Sequence, residues 1–190
     1  MFKIVPKLFS EFQRLCDVQS LLDEYGVPVT YSKNDYVSKI GDSVDHLFYM
    51  NRGLVKCFYI HDDKEVVLRL MTDRSAVLAY SGYITGSPSS EYIQCLDACE
   101  GVRISLKVLD SLRRSDGSID LMFRYLAEQH YLSLERRLFM LQHKTAKERY
   151  QYFCQVMEEK IVSNTPKQII ASYLGVTPES FSRVKRHLTN

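Results

Sequence analysis

Thr165-Pro166-Lys167-Gln168-Ile169-Ile170-Ala171-Ser172-Tyr173-Leu174-Gly175-Val176-Thr177-Pro178-Glu179-Ser180-Phe181-Ser182-Arg183-Val184-Lys185-Arg186-His187-Leu188 is the most informative stretch of this 190-residue chain. It holds two Thr-Pro pairs. A threonine hydroxyl can accept from an unpaired amide of a first helical turn, and proline at the first helical position removes no donor the helix could use. Each pair predicts a helix start, with Thr165 and Thr177 as N-caps. Gly175 stands where the first helix needs a left-handed residue to stop. Two helices of about nine and eleven residues, joined by a turn of about three, make a helix-turn-helix.

The second helix divides cleanly at 100° per residue. Phe181, Val184 and Leu188 occupy one side, and Glu179, Ser182, Arg183 and Arg186 occupy the other. Ala171 is small where the second helix must cross, beside apolar Ile170, Leu174 and Val176. Helices spaced in this way are similar to the DNA-binding helix-turn-helix. The polar side suits base edges: Arg can donate to guanine O6 and N7, and Glu can accept from cytosine N4. Thr165, Lys167, Gln168, Thr177, Lys185 and His187 are the candidate phosphate contacts around it. A solvated face on an ordinary helical hairpin is the competing reading, against which the caps, the small residue, the turn glycine and the anchors all agree.

Charge is divided in the same direction. The chain carries 25 Lys and Arg against 23 Asp and Glu, a formal net charge of +2. Residues 144–190 hold eight basic and four acidic side chains, net +4, whereas residues 1–143 are net −2. A generally basic protein coating nucleic acid is excluded, but a locally basic end is present.

Upstream, Ser118 to His143 contains no proline or glycine and predicts one long helix. Ala127, Tyr131, Leu134, Leu138 and Leu141 fall at alternating four-and-three spacing, a coiled-coil seam of a little over two heptads. That stripe fits a dimer interface or packing on the chain's own β domain. A further helix is expected from Lys147 to about Ile161, opened by a capping box of Thr145 and Glu148 and ended by Ser163-Asn164.

Between Tyr25 and Lys107 the period shortens. His46–Met50, Leu54–Ile60, Glu65–Met71, Tyr92–Leu96 and Val102–Ser105 are rich in Val, Ile, Tyr and Phe. Turn signals separate them at Lys33-Asn34-Asp35, Gly41-Asp42, Asn51-Arg52-Gly53, His61-Asp62-Asp63 and Gly86-Ser87-Pro88. Short strands at such spacing predict an antiparallel sandwich or barrel. Residues 1–24 read as helical, with Phe9, Phe12, Leu15, Val18, Leu21 and Leu22 at three-and-four spacing.

Several classes of chemistry find no support. No apolar run is long enough for a membrane span, and the N-terminus lacks an export-signal pattern, so a cytoplasmic protein is expected. Cys16, Cys57, Cys95, Cys99 and Cys154 are odd in number and scattered, as reduced structural thiols would be; redox sensing is the minor alternative. His46, His61, His130, His143 and His187 form no metal spacing, and no hydrolase elbow, Walker loop or dinucleotide fingerprint occurs. No metal, cofactor or catalytic residue is assigned, and the chain is not expected to be an enzyme.

A β-rich part, a long helix and a C-terminal helix-turn-helix together resemble the Crp/Fnr family of bacterial transcription regulators over nearly the whole chain. In the β part the resemblance lies in Gly41-Asp42, Asp45-His46-Leu47-Phe48-Tyr49-Met50 and Asn51-Arg52-Gly53-Leu54-Val55-Lys56, similar to the family's cyclic-nucleotide-binding β-roll. At the other end Val176-Thr177-Pro178-Glu179-Ser180-Phe181-Ser182-Arg183 is similar to its recognition helix, with Glu179 and Arg183 at the family's base-reading positions. Pro178 replaces that pattern's other arginine, which implies a different operator preference.

The resemblance implies an α+β protein. An N-terminal helical segment and jelly-roll-like antiparallel β-roll would form an effector domain over 1–117. A dimerisation helix would span 118–143, and a helix-turn-helix domain without a full wing would span 144–190. It also implies a homodimer on double-stranded DNA, with RNA polymerase as a further partner. The effector is a separate matter. Family members that bind cyclic nucleotides carry Gly-Glu for the ribose and Arg-Ser or Arg-Thr for the phosphate. Here the stretch runs from Ala76 to Glu91 without Gly-Glu, and Ser89 stands where the arginine belongs. Losing a bidentate guanidinium removes the strongest phosphate contact, so an effector other than cyclic AMP is expected. Tyr80, Ser81, Tyr83, Ser89 and Ser90 are the candidate pocket residues, alongside a plain loop-and-core reading. Two rivals remain: a ligand-binding β-roll whose helix-turn-helix contacts protein, and a cupin-type barrel enzyme, which would need a His/Glu metal trio.

Overall fold

The computed structural model describes residues 17–115 and 117–188. Phe9, Phe12 and Leu15 lie outside the described residues. The first described helix, α1 (Val18–Tyr25), is capped by the Asp17 carboxylate, which accepts from the Ser20 amide at 3.1 Å.

Eight strands follow among the described residues: β1 (Val27–Tyr31), β2 (Tyr36–Ser38), β3 (His46–Arg52), β4 (Leu54–His61), β5 (Lys64–Thr72), β6 (Ser75–Val77), β7 (Tyr92–Cys95) and β8 (Cys99–Ser105). They form two four-stranded antiparallel sheets, ordered β1-β8-β3-β6 and β2-β7-β4-β5. The two antiparallel sheets follow the sandwich or barrel that the strand spacing predicts and form the roll that the family resemblance implies. Phe48, Met50, Val55, Cys57, Ile93, Cys95 and Cys99 fill the space between the sheets. Burial pushes the Cys57 thiol up to about 12, so it stays a protonated core group.

The turns obey local chemistry. Asp62 and Asp63 both take positive φ, 49° and 57°, in the two-residue link that closes the β4–β5 hairpin. Gly53 has φ of 152°, and a Cβ there would meet Cys99 Sγ at 2.5 Å and Met50 Sδ at 2.8 Å. Three strands go beyond the sequence reading, β1, β2 and β6, and all three are outermost in their sheets. Pro28 breaks the apolar pattern of β1, and β2 and β6 are three residues each.

Helices α2 (Tyr80–Thr85) and α3 (Leu106–Leu112) flank β7 and β8. The long helix α4 spans Gly117–Gln142, close to the expected range. Its Ile119, Met122 and Phe123 bury against Leu47, Leu78 and Ile104 of the roll and Leu109 of α3. The helix expected over Lys147–Ile161 is instead two: α5 (Ala146–Val156) and α6 (Glu159–Asn164), separated at Met157, whose backbone is extended. No proline or glycine marks this break. What accompanies it is long-range: Lys160 bonds Asp73 of the β5–β6 turn, and Ile161 joins the cluster of Leu70 from β5. The capping box is present, with Glu148 N donating to Thr145 Oγ1 at 3.1 Å and Thr145 N donating to Glu148 Oε2 at 2.9 Å.

The chain closes with α7 (Lys167–Leu174) and α8 (Pro178–Leu188). Gly175 takes φ of 65° and ψ of 38°, the left-handed stop expected of it. One cluster unites both helices with α5 and the roll. It contains Leu54, Phe58, Val67 and Leu70 from β4 and β5, Met140 from α4, and Tyr150, Phe153, Ile170, Ala171, Tyr173, Leu174 and Phe181. No helix among the described residues is long and apolar enough to cross a membrane.

Candidate nucleic-acid interface and effector cavity

The helix-turn-helix is built from both ends. Ile170, Ala171, Tyr173 and Leu174 turn one face of α7 inward, and Phe181 anchors α8 with no exposed surface, edge-on to Tyr150 at 5.1 Å. With that face fixed, the opposite one must point to solvent. Glu179, Ser182, Arg183, Arg186 and His187 are exposed there, and Lys167 and Gln168 are exposed at the start of α7. Lys185 is half-buried, its ammonium 5.7 Å from the Tyr150 ring.

Thr177 caps α8 as expected, its hydroxyl accepting from the Ser180 amide at 3.2 Å. Ser180 Oγ in turn lies 3.3 Å from Arg183 Nη2, which steadies the guanidinium beside Glu179. The Glu179 carboxyl is held below its ordinary value, first by its own backbone amide, then by the Thr177 hydroxyl, with the Arg183 charge contributing. It is therefore an ionised acceptor at neutral pH.

Thr165 behaves differently from its twin. It closes α6 rather than opening α7, whose N-cap is Pro166 without a side-chain bond. Its side chain is buried, and Oγ1 has no hydrogen-bond partner among the described residues. The expected cap and phosphate contact at Thr165 are therefore corrected: α7 starts one residue later, and the hydroxyl faces inward. Sequence reasoning also passed over Arg149. Its guanidinium donates to the carbonyls of Leu174 at 3.0 Å, Gly175 at 3.3 Å and His143 at 3.0 Å, tying the turn to the end of α4.

The seam residues separate. Tyr131, Leu134 and Leu138 are 63%, 45% and 61% exposed on the outer face of α4, too apolar a row for a helix that needs only solvent there. Ala127 is half-buried beside them. Leu141 instead packs into the helix-turn-helix cluster near Gly175.

The five candidate effector residues do not converge. Ser81 and Ser90 are exposed, Tyr83 stacks on Phe123 at 5.0 Å, and Ser89 is buried with its hydroxyl donating to the Glu91 carbonyl at 2.7 Å. Tyr83 lines a cavity of about 430 Å³ beside Ser43, Pro88 and Asp110, whereas Tyr80 lines a separate one of about 390 Å³ between the β5–β6 region and α4. Arg69, Thr72, Gln129, His130 and Arg136 line it too. Its size is within the range of small-molecule sites.

One wall of that cavity is the least expected feature of the chain. Arg69 and Glu91 form a buried ion pair, Nη2 to Oε1 at 2.5 Å, each about 7% exposed. Arg69 Nη1 lies 3.1 Å from His130 Nδ1. Burial first, and the Arg69 charge second, pull the His130 pKa down to about 4, so the imidazole is neutral and accepts at Nδ1. The arginine on this wall is thus already neutralised by a carboxylate.

An antiparallel roll, a long helix and a helix-turn-helix with an exposed Glu-and-Arg face make up the architecture. Residues 28–116 match the family model described as Cyclic nucleotide-binding domain. The chain has the fold of Crp/Fnr regulators, as the sequence resemblance implied. FixK2 from Bradyrhizobium japonicum superposes with a TM-score of 0.75 at 16% identity, covering 86% of this chain and 84% of that one. CLP from Xanthomonas campestris, a c-di-GMP-responsive global regulator, gives 0.72 at 20% identity over 90% of each chain. A protein described as a transcriptional regulator of the Crp/Fnr family, from Eubacterium rectale, gives 0.71 at 16% identity over 97% and 88%. No curated protein matches this chain in sequence.

Proposed function

We propose that the protein is a sequence-specific DNA-binding transcription regulator that acts as a homodimer. The observation that carries this reading is the two-faced α8: Phe181 wholly buried on one side, Glu179, Ser182, Arg183 and Arg186 exposed on the other. Two copies joined along α4 would present two such helices to successive major grooves, about 34 Å apart. Selection of operators from random duplexes, followed by anisotropy titration at rising salt, tests the reading. Affinity should fall as salt rises, since phosphate contacts release counterions. Salt-independent or absent binding across the selected pool would overturn it.

Arg183→Ala should weaken the preferred operator by about 1–3 kcal/mol and relax preference at one base position. An equal loss on preferred and random DNA would remove Arg183 from base reading. For the dimer, light scattering should give the wild-type mass as two copies of the 22.1 kDa chain and Leu134→Glu as one. A glutamate in an apolar seam must be desolvated without a partner. An unchanged mass would show that α4 is not the interface.

The effector reading rests on the cavity between β5, β6 and α4. A ligand there would touch the roll and the long helix together, which lets its binding favour one arrangement of the reading helices over another. The Arg69–Glu91 pair and the Ser89 bond argue for a ligand other than cyclic AMP in its usual pose.

A further inference from the structure

Strand β5 is the outer strand of its sheet, bonded to β4 on one side only. Its pairing slips by one residue: Cys57 faces Arg69 but Phe58 faces Val67, leaving Leu68 as a bulge. Next to that bulge, backbone groups of Glu65 and Val67 bond outside the ladder. The Val67 amide donates to Ser172 Oγ of α7 at 3.0 Å, and Ser172 Oγ donates to the Glu65 carbonyl at 2.6 Å. The Val67 carbonyl accepts from Arg137 Nη2 of α4 at 2.9 Å. Arg137 also lies over the Tyr173 ring of α7, 5.3 Å from its centroid. A single residue of the roll thus holds the long helix by its carbonyl and the helix-turn-helix by its amide.

We propose that Ser172 and Arg137 are positioning residues that seat the helix-turn-helix on β5 at Val67 and thereby set the angle at which paired recognition helices meet DNA. This rests on the DNA-binding reading above. The physical ground is a division of labour between two kinds of contact. The apolar cluster shared by β4, β5, α5, α7 and α8 holds the head against the roll, but apolar burial is non-directional and leaves rotation weakly specified. Hydrogen bonds to backbone are directional. Ser172 uses both capacities of its hydroxyl on two residues of one strand, which fixes the roll of α7 about its axis. Because α7 and α8 pack through Ile170, Ala171, Leu174 and Phe181, the direction of the Arg183 face follows α7.

Arg137 refers the same point to α4, the proposed two-fold seam. Orientation at Val67 is then orientation relative to the partner copy. Such a seat matters only when two half-sites must be met at once; a single half-site is read equally well by a head at any angle.

The test uses the full chain with Ser172→Val and Ser172→Thr, which are near-isosteric while only threonine keeps the hydroxyl. Affinity is measured for the selected operator, for one half-site, and for operators whose half-sites are moved apart by one and two base pairs. Exchange of the Val67 amide is followed in parallel. Ser172→Val is expected to lose about tenfold on the operator, from two missing hydrogen bonds in each protomer. It should keep its half-site affinity, flatten the spacing preference and speed Val67 exchange, while Ser172→Thr keeps the wild-type pattern. A Ser172→Val protein that retains the spacing preference, or loses operator and half-site affinity alike, overturns the positioning role. Unchanged Val67 exchange overturns the seat itself. A wild-type chain that binds none of these duplexes overturns the DNA reading instead, which separates the two failures.

Discussion

Glu91→Ala should destabilise the protein by about 3–5 kcal/mol, the cost of leaving one buried charge without its partner. Glu91 and Arg69 are both buried, and their 2.5 Å bond is the principal compensation for taking a guanidinium out of water. Without the carboxylate, Arg69 keeps only the His130 nitrogen at 3.1 Å and the Leu78 carbonyl at 3.5 Å. Neither supplies negative charge, because His130 is neutral at physiological pH. The pair as a whole is a different matter: replacing both members with apolar side chains of similar volume is often neutral or stabilising. Arg69→Met with Glu91→Leu should therefore recover most of what Glu91→Ala loses. Urea unfolding reads both, as a lower midpoint at unchanged slope for the single variant and a restored midpoint for the double. A Glu91→Ala midpoint within about 1 kcal/mol of wild type would show that water reaches the pair.

Phe181→Ala is the second large effect, at about 3–5 kcal/mol for an emptied aromatic site in a packed core. Phe181 has no exposed surface and meets Tyr150 edge-on. Its cluster includes Leu54, Phe58 and Leu70 of the roll, so the loss should appear in the unfolding of the whole chain rather than of the C-terminal helices alone. DNA binding should vanish with it, since the exposed arc of α8 is oriented by this anchor. The contrast with Arg183→Ala separates the two roles: one variant loses stability and binding together, the other loses binding at unchanged stability. A separate early transition for the C-terminal helices in Phe181→Ala would mean that the cluster does not couple them to the sheets.

Features governed by neighbours in sequence were legible. Thr177, Gly175 and the Thr145–Glu148 box each encode a cap within four residues, and each is found as expected. The four inner strands announced themselves by Val, Ile and Phe, because a strand flanked on both sides buries most of its length. So did the outer β5, whose Val67 and Leu70 are buried in the cluster shared with the C-terminal helices. The outermost β1, β2 and β6 did not, being short or interrupted by Pro28. Thr165 shows the limit of a local rule: the same Thr-Pro dipeptide that caps α8 instead closes α6, because its hydroxyl is turned into the protein. The Met157 break lies beyond such rules. So do the cavity contacts. Arg69 meets Glu91 and His130 only after two sheets and α4 have closed around them, over sequence separations of 22 and 61 residues. Ser172 reads locally as an unremarkable helical serine, yet both of its partners lie more than 100 residues away.

That serine has one more consequence. At nine residues, β5 is the longest strand among those described, and it stands at a sheet margin. A long strand in that position is a template on which another extended chain can pair, and proteins usually blunt it with charge, proline or a cover. Here the Glu65 carbonyl and both backbone groups of Val67 are already spoken for by Ser172 and Arg137. The helix-turn-helix, with Arg137 of α4, thus also covers this long margin of the roll against pairing with a second copy.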